Sequence, residues 1–153
     1  MCGRYYLYIK LEKLLQKYGI NNTDIDYSPQ KEIFPSNQAP VVIQKNNKNK
    51  KLKLFKWGFS PEFANNLIIN ARSESVDKKT TFKESFFKRR CLIPVTGFFE
   101  WKDTGNKKIK YKINLKNNEV FSLAGIYNSF KNDNGDFIPA FTILTTDANS
   151  KIK

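Results

Sequence analysis

A chain of 153 residues, 40% hydrophobic with 13 Phe and 7 Tyr, is sized for a single domain, residues 1–153, with one modest core. It contains no histidine and two cysteines, which excludes a Ser–His–Asp or Cys–His pair, a zinc site and a disulfide framework within these residues, and no apolar run approaches the ~20 residues of a membrane span. Twenty-seven Lys and Arg against 14 Asp and Glu leave a net charge of +13, a field that concentrates polyanions such as nucleic acid, although the Lys/Asn bias of stretches such as 44–53 also fits compositional drift.

Leu11, Leu14, Leu15 and Tyr18 recur at helical spacing, and Gly19 is a natural stop, so a short helix is predicted over 11–18. Residues 20–40, with Pro29, Pro35 and Pro40, read as an irregular connection. Val41–Gln44 and the stretch holding Leu52, Leu54 and Trp57 form a predicted hairpin around the solvated Lys/Asn loop at 45–51. The segment LIINARSES at 67–75 reads as a buried strand with a polar, functional end. Thr80 or Thr81 can cap a helix running to about Arg89, with Phe82 and Phe86 on its inner face. RRCLIPVTGFFEWK at 89–102 reads as strand, turn at Gly97 and aromatic strand. KIKYKINL at 108–115 alternates as a half-buried antiparallel strand does, and VFSLAGIY at 120–127 and FIPAFTILTT at 137–146 add two more. The predicted class is α+β: a curved or barrel-like, mainly antiparallel sheet with short flanking helices.

The chemistry begins at Met1-Cys2-Gly3. A residue as small as Cys at position 2 permits removal of the initiator Met1, which leaves Cys2 as an amino-terminal 1,2-aminothiol. An α-amine has a pKa near 7.7–8.0 against about 10.4 for lysine, so roughly a tenth of it is neutral and nucleophilic at pH 7. With an aldehyde, such as the ring-opened sugar of an abasic site, the amine forms a Schiff base and the thiol closes on it to give a thiazolidine. A cysteine at position 2 is weak evidence alone. Without histidine, the nucleophile must be served by Lys, Asp, Glu or the amino terminus itself.

Four blocks in order strengthen the reading: MCGRY at 1–5, WGFSP at 57–61, NARSES at 70–75 and RRCLIPVTGFFEWK at 89–102. Together they closely resemble the SOS response-associated peptidase (SRAP) family, from Met1 to about Thr146. The resemblance implies a sensor of abasic sites in single-stranded DNA that crosslinks through its amino-terminal cysteine and needs no metal or cofactor. It implies Cys2 as both nucleophiles, Asn70 orienting the amino terminus and the opened sugar, and Glu100 moving protons as general acid and base. It further implies a DNA-binding set in which Arg4 and Arg72 grip phosphates, Ser73 belongs to the same set, and Trp57 and Pro35 lie near the bases.

Each residue has a plainer role open to it. Glu100 could face solvent on an alternating strand, Asn70 could end a strand, Arg72 could be a surface charge and Trp57 core. Trp101 is expected in the core, and Cys91 as a small buried residue rather than a second nucleophile. The resemblance departs from the family at the far end. TTDANS occupies 145–150 and the sequence ends at Lys153, ahead of the place where the family carries His-x-Arg-Met-Pro. The chain is therefore expected to lack the C-terminal part of the family fold. Because that histidine is implied to assist sugar opening and crosslink reversal, a slower or less reversible reaction is expected.

Two other functions stand beside the first. One is a peptidase with Cys2 as nucleophile and Glu100 as its base, a poor pairing because a carboxylate is a weak partner for a thiol. The other is a single-strand binder in which Cys2 is incidental; scission of abasic strands is a side branch of the crosslinking chemistry. The two cysteines and the absence of a signal-peptide pattern in MCGRYYLYIK lead to an expected cytoplasmic location, acting at the nucleoid.

Overall fold

The computed structural model describes residues 1–148. In chain order these form β1 (Tyr5–Leu7), α1 (Leu11–Tyr18), β2 (Gln30–Ile33), β3 (Gln38–Ile43), β4 (Lys51–Trp57), β5 (Asn70–Arg72), α2 (Thr80–Lys88), β6 (Arg90–Val95), β7 (Gly97–Asp103), β8 (Lys108–Asn114), β9 (Phe121–Lys131) and β10 (Phe137–Thr145). The β3–β4 hairpin pairs Gln38 with Lys56 through Ile43 with Lys51. Its Lys/Asn loop turns through Asn46 and Asn47, both at positive φ, a conformation asparagine tolerates well. β6 then pairs antiparallel with β3 and β9, and β9 with β10.

β10 closes the array. It meets β4 in parallel register, Ala140 opposite Lys56 and Phe141 opposite Trp57, and so converts five strands into a barrel. β4 bends away at Gly58 (φ 119°), whose N–H still bonds the Phe141 carbonyl, and the freed edge of β10 takes β5 instead, with Ile143 opposite Asn70. A second sheet, ordered β2-β1-β7-β8, packs the inward side chains Tyr5, Leu7 and Ile33 on the barrel. The predicted curved, mainly antiparallel α+β fold is observed, with parallel pairing confined to β10.

Both helices fall where the periodicity places them. α1 ends at Gly19 in the left-handed region, its amide on the Gln16 and Leu15 carbonyls. α2 differs at its start, where Lys79, not a threonine, occupies the cap and no side chain completes it. Phe82 and Phe86 still face inward, against a small core of Phe59, Ala71, Val76 and Ile126.

The 20–40 stretch contains β2 and the start of β3, so it is more ordered than its prolines suggest. Pro40 lies where β6 no longer pairs with β3, a position that tolerates the missing amide. In 67–75 only Asn70–Arg72 is strand; the preceding residues are held by one bridge between Phe59 and Ile68. Finally, β6 and β7 are not a hairpin. Thr96 carries the chain from the barrel into the second sheet.

The closure point is tightly packed. Trp57 is fully buried, stacked on Phe141 at 6.3 Å and tilted against Tyr5 at 5.1 Å. Trp57→Ala is expected to cost about 3–5 kcal/mol in chemical denaturation. A Cβ on Gly125 would meet Ile93 Cδ1 at 2.4 Å and the Thr142 carbonyl at 3.0 Å, so Gly125→Ala is expected to cost about 1–3 kcal/mol. An unchanged denaturation midpoint for either variant would contradict this description of the core.

Candidate functional site

The amino terminus lies where the barrel and the second sheet meet, in contact with Asn70 of the one and Glu100 of the other. Cys2 precedes β1, whose register with β7 is fixed by Tyr5 opposite Phe98, and the Phe99 amide donates to the Arg4 carbonyl at 2.9 Å. β5 reaches the same point from the barrel side, because β10 fixes Asn70 opposite Ile143. Asn70 Nδ2 donates to the Cys2 carbonyl at 3.1 Å. Its Oδ1 is buried and has no partner among the described residues, an acceptor left over at the site. Glu100 arrives on β7. Alternation turns it to the side of Phe98, and its Oε1 lies 3.4 Å from the amino-terminal nitrogen of Met1. Three segments far apart in sequence thus bring Cys2, Asn70 and Glu100 together.

With Met1 in place, the amine is exposed but the thiol is not. Cys2 is 8% exposed, and its Sγ lies 3.7 Å from the Arg4 carbonyl. Burial pushes the thiol up to about 11; the negative charge of Glu100 adds to this, and the amino-terminal charge opposes it. Cys91 is buried as expected, its thiol pushed up to about 12 by burial alone. Neither sulfur is a ready thiolate at neutral pH. Among the described residues no group of three or more Cys, Asp or Glu gathers that could hold a metal ion.

Arg4 leaves the opposite face of β1. Its guanidinium bonds Glu32 Oε1 at 2.8 Å, stacks on Phe34 at 3.8 Å and lies 5.6 Å from the Trp101 ring. Lys110 shares the same Glu32 oxygen, and Lys110 and Arg4 hold that carboxyl below the usual range. Arg72 is exposed at the end of β5 and pairs with Asp147 and Glu74. Ser73 is exposed beside it, its amide on the Thr145 carbonyl at 2.8 Å. Pro35 is half-buried in the turn leading to β3, where Ser36 N–H bonds the Trp57 carbonyl at 2.8 Å.

Two sequence expectations need correction. Trp57 offers no face to a base: both sides of its ring are packed, and its indole N–H donates to the Ile69 carbonyl at 3.1 Å. Its place is that of a support, bracing the residue before Asn70. Trp101, expected in the core, is 40% exposed. Strand alternation carried the signal, since a Glu100 turned to the amino terminus sends Trp101 to the other face. Sequence reasoning missed Glu32 and Phe34, because the segment holding them reads as irregular.

Comparison with known proteins gives the family and the fold. The family described as SOS response associated peptidase (SRAP) matches residues 1–153. Abasic site processing protein YoaM of Bacillus subtilis is 32% identical over 161 residues, covering 100% of this chain and 70% of YoaM. Abasic site processing protein YoqW of the same organism is 31% identical, covering 97% of this chain and 70% of YoqW. A crystal structure from Bacteroides thetaiotaomicron superposes with a TM-score of 0.82 at 28% identity, covering 99% of this chain and 71% of that one. The chain belongs to the SOS response associated peptidase (SRAP) family.

Proposed function

We propose that this protein processes abasic sites in DNA by forming a covalent thiazolidine crosslink through Cys2, after Met1 is removed, and that its substrate is single-stranded. The observation that carries this reading is the convergence of the Asn70 amide on the Cys2 carbonyl (3.1 Å) with the Glu100 carboxylate beside the nitrogen of Met1 (3.4 Å), the residue directly ahead of the Cys2 amine. The names of the relatives, abasic site processing proteins, support it, as does the net charge of +13.

The chemistry follows from the positions. Removal of Met1 exposes the Cys2 amine near Glu100, with the main chain still held by Asn70. The neutral amine adds to the C1′ aldehyde of the opened sugar, and the carbinolamine loses water as Glu100 delivers the proton to the departing hydroxyl. The Cys2 sulfur then adds to the imine carbon, its proton passing to the nitrogen. Aldehyde and aminothiol give thiazolidine and one water. The unused Asn70 Oδ1 is available to accept a hydrogen bond from a sugar hydroxyl.

A thiol held protonated, as it is while Met1 is in place, suits an order in which the amine attacks first and the sulfur is needed only once an electrophilic imine sits beside it. It does not suit a peptidase, which needs a thiolate to open the reaction.

Two measurements test the reading. On a single-stranded oligonucleotide with one abasic site, the Met1-free protein is expected to give a heat-stable adduct by intact mass, and Cys2→Ala none. Cys2→Ser is expected to give at most an imine that needs borohydride to survive. Glu100→Gln is expected to slow adduct formation by about 10²-fold. A stable adduct with Cys2→Ala would refute the assignment. Separately, with Met1 retained, a thiol raised from 9.0 to about 11 holds about 100-fold less thiolate at neutral pH than free cysteine. Alkylation of Cys2 is therefore expected to run about that much slower in the folded than in the unfolded chain at pH 8, and to quicken as pH rises toward 11. Equal rates would show that the thiol is not buried as described.

A further inference from the structure

The face of the second sheet turned away from the core carries side chains that the chemistry at Cys2 does not use. Tyr5, Leu7 and Ile33 point inward, so Arg4, Tyr6 and Tyr8 alternate outward. Cations and rings interleave across this face. Arg4 lies over Phe34 at 3.8 Å, Lys110 over Phe99 at 4.2 Å and Lys112 over Tyr6 at 4.2 Å. Glu32 engages Arg4 and Lys110 at the end nearest Cys2. At the other end, Lys31 and Lys112 have no carboxylate partner among the described residues, so the uncompensated positive charge lies there.

That far end is hollow. Tyr6, Tyr8, Lys31, Thr96, Lys112 and Asn118 line a cleft of about 380 Å³, within the range of small-ligand sites, and none of the six is acidic. Tyr8 is 57% exposed, with Lys31 Nζ 5.9 Å from its ring, and its amide is fixed by Thr96 Oγ1 at 2.9 Å. Asn118 accepts from Asn114 through Oδ1, and its own Nδ2 makes no bond among the described residues. Four residues of extended chain put Tyr8 roughly 13 Å from Arg4.

We propose that this cleft is a second nucleotide subsite, which takes a base and its flanking phosphates from a single strand running out of the Cys2 site along the outer face. A base stacks on Tyr8, phosphates meet Lys31 and Lys112, and the Asn118 amide meets the base edge. The alternation of ring and cation matches the alternation of base and phosphate in such a strand, whereas an acidic peptide has no flat face for Tyr8. The lysine stems cover Tyr6 while their ammonium groups stay in water, free to exchange counterions for phosphate.

This inference rests on the single-strand reading above, and its test separates the two. Binding of undamaged oligonucleotides of about five and about fifteen nucleotides is measured by fluorescence anisotropy across a salt series. Adduct formation is measured in parallel on an abasic site extended on its 5′ or its 3′ side. Lys31→Gln/Lys112→Gln is expected to weaken binding of the long strand and to lower its salt slope by about 1.4, while leaving the short abasic strand's adduct rate unchanged. Lys48→Gln/Lys50→Gln, the same loss of charge in the β3–β4 loop, is the control and is expected to leave the slope nearly intact. Tyr8→Ala is expected to weaken the long strand about tenfold, and an extension on only one side of the abasic site to sense it. Equal effects from the two lysine pairs, or no effect from Tyr8→Ala, would overturn the subsite even if the adduct forms. Loss of the adduct in the wild type would sink the crosslinking reading, and anisotropy would still decide the subsite.

Discussion

The parallel seam between β10 and its two successive partners is the constraint on which the rest depends. β4 holds the first half of that edge through Phe141 opposite Trp57, then leaves at Gly58 so that β5 can take the second half. The handover closes the barrel, and it delivers Asn70 to the Cys2 carbonyl. A strand of three residues, Asn70–Arg72, could not hold its position alone. It is fixed by the β10 ladder on one side and by the Trp57 indole bond to the Ile69 carbonyl on the other. The buried tryptophan and the half-buried Asn70 are therefore one device.

The site that results is a meeting of two sheets rather than a pocket in either. The six-stranded sheet contributes Asn70, β7 of the second sheet contributes Glu100 and the segment ahead of β1 contributes Cys2, so the three meet because the inward row of Tyr5, Leu7 and Ile33 is packed on the barrel. Burial of the Cys2 sulfur is a by-product of the same packing. With Met1 in place it raises the thiol pKa and keeps the thiol protonated at neutral pH.

Much of the fold was legible in the sequence, and for identifiable reasons. The leucines of α1 and the glycine after it carry a complete helix signal, and the alternation in 108–115 marks β8. The β3–β4 hairpin is written in two apolar runs around a Lys/Asn loop. What the sequence hid was which strands share a sheet. Val95, Thr96 and Gly97 look like the corner of a hairpin, yet they carry the chain from one sheet to the other, and nothing local records that. The β2 strand was hidden by the proline-rich composition around it.

The site was legible as a set of residue types and only partly as geometry. Cys2, Asn70 and Glu100 could be singled out by their chemistry and by the motifs holding them, but Trp57 is buried and Trp101 exposed, the reverse of the burial expected of them. Aromatic residues suit both core and surface, and only the register of the strand decides between them. The most direct test of the account is the bonding of the linked carbon itself. An oligonucleotide carrying ¹³C at C1′ of its abasic site, reacted with the Met1-free protein, should show a tetrahedral carbon bonded to both the nitrogen and the sulfur of Cys2. A trigonal imine carbon, or attachment at a lysine, would contradict it.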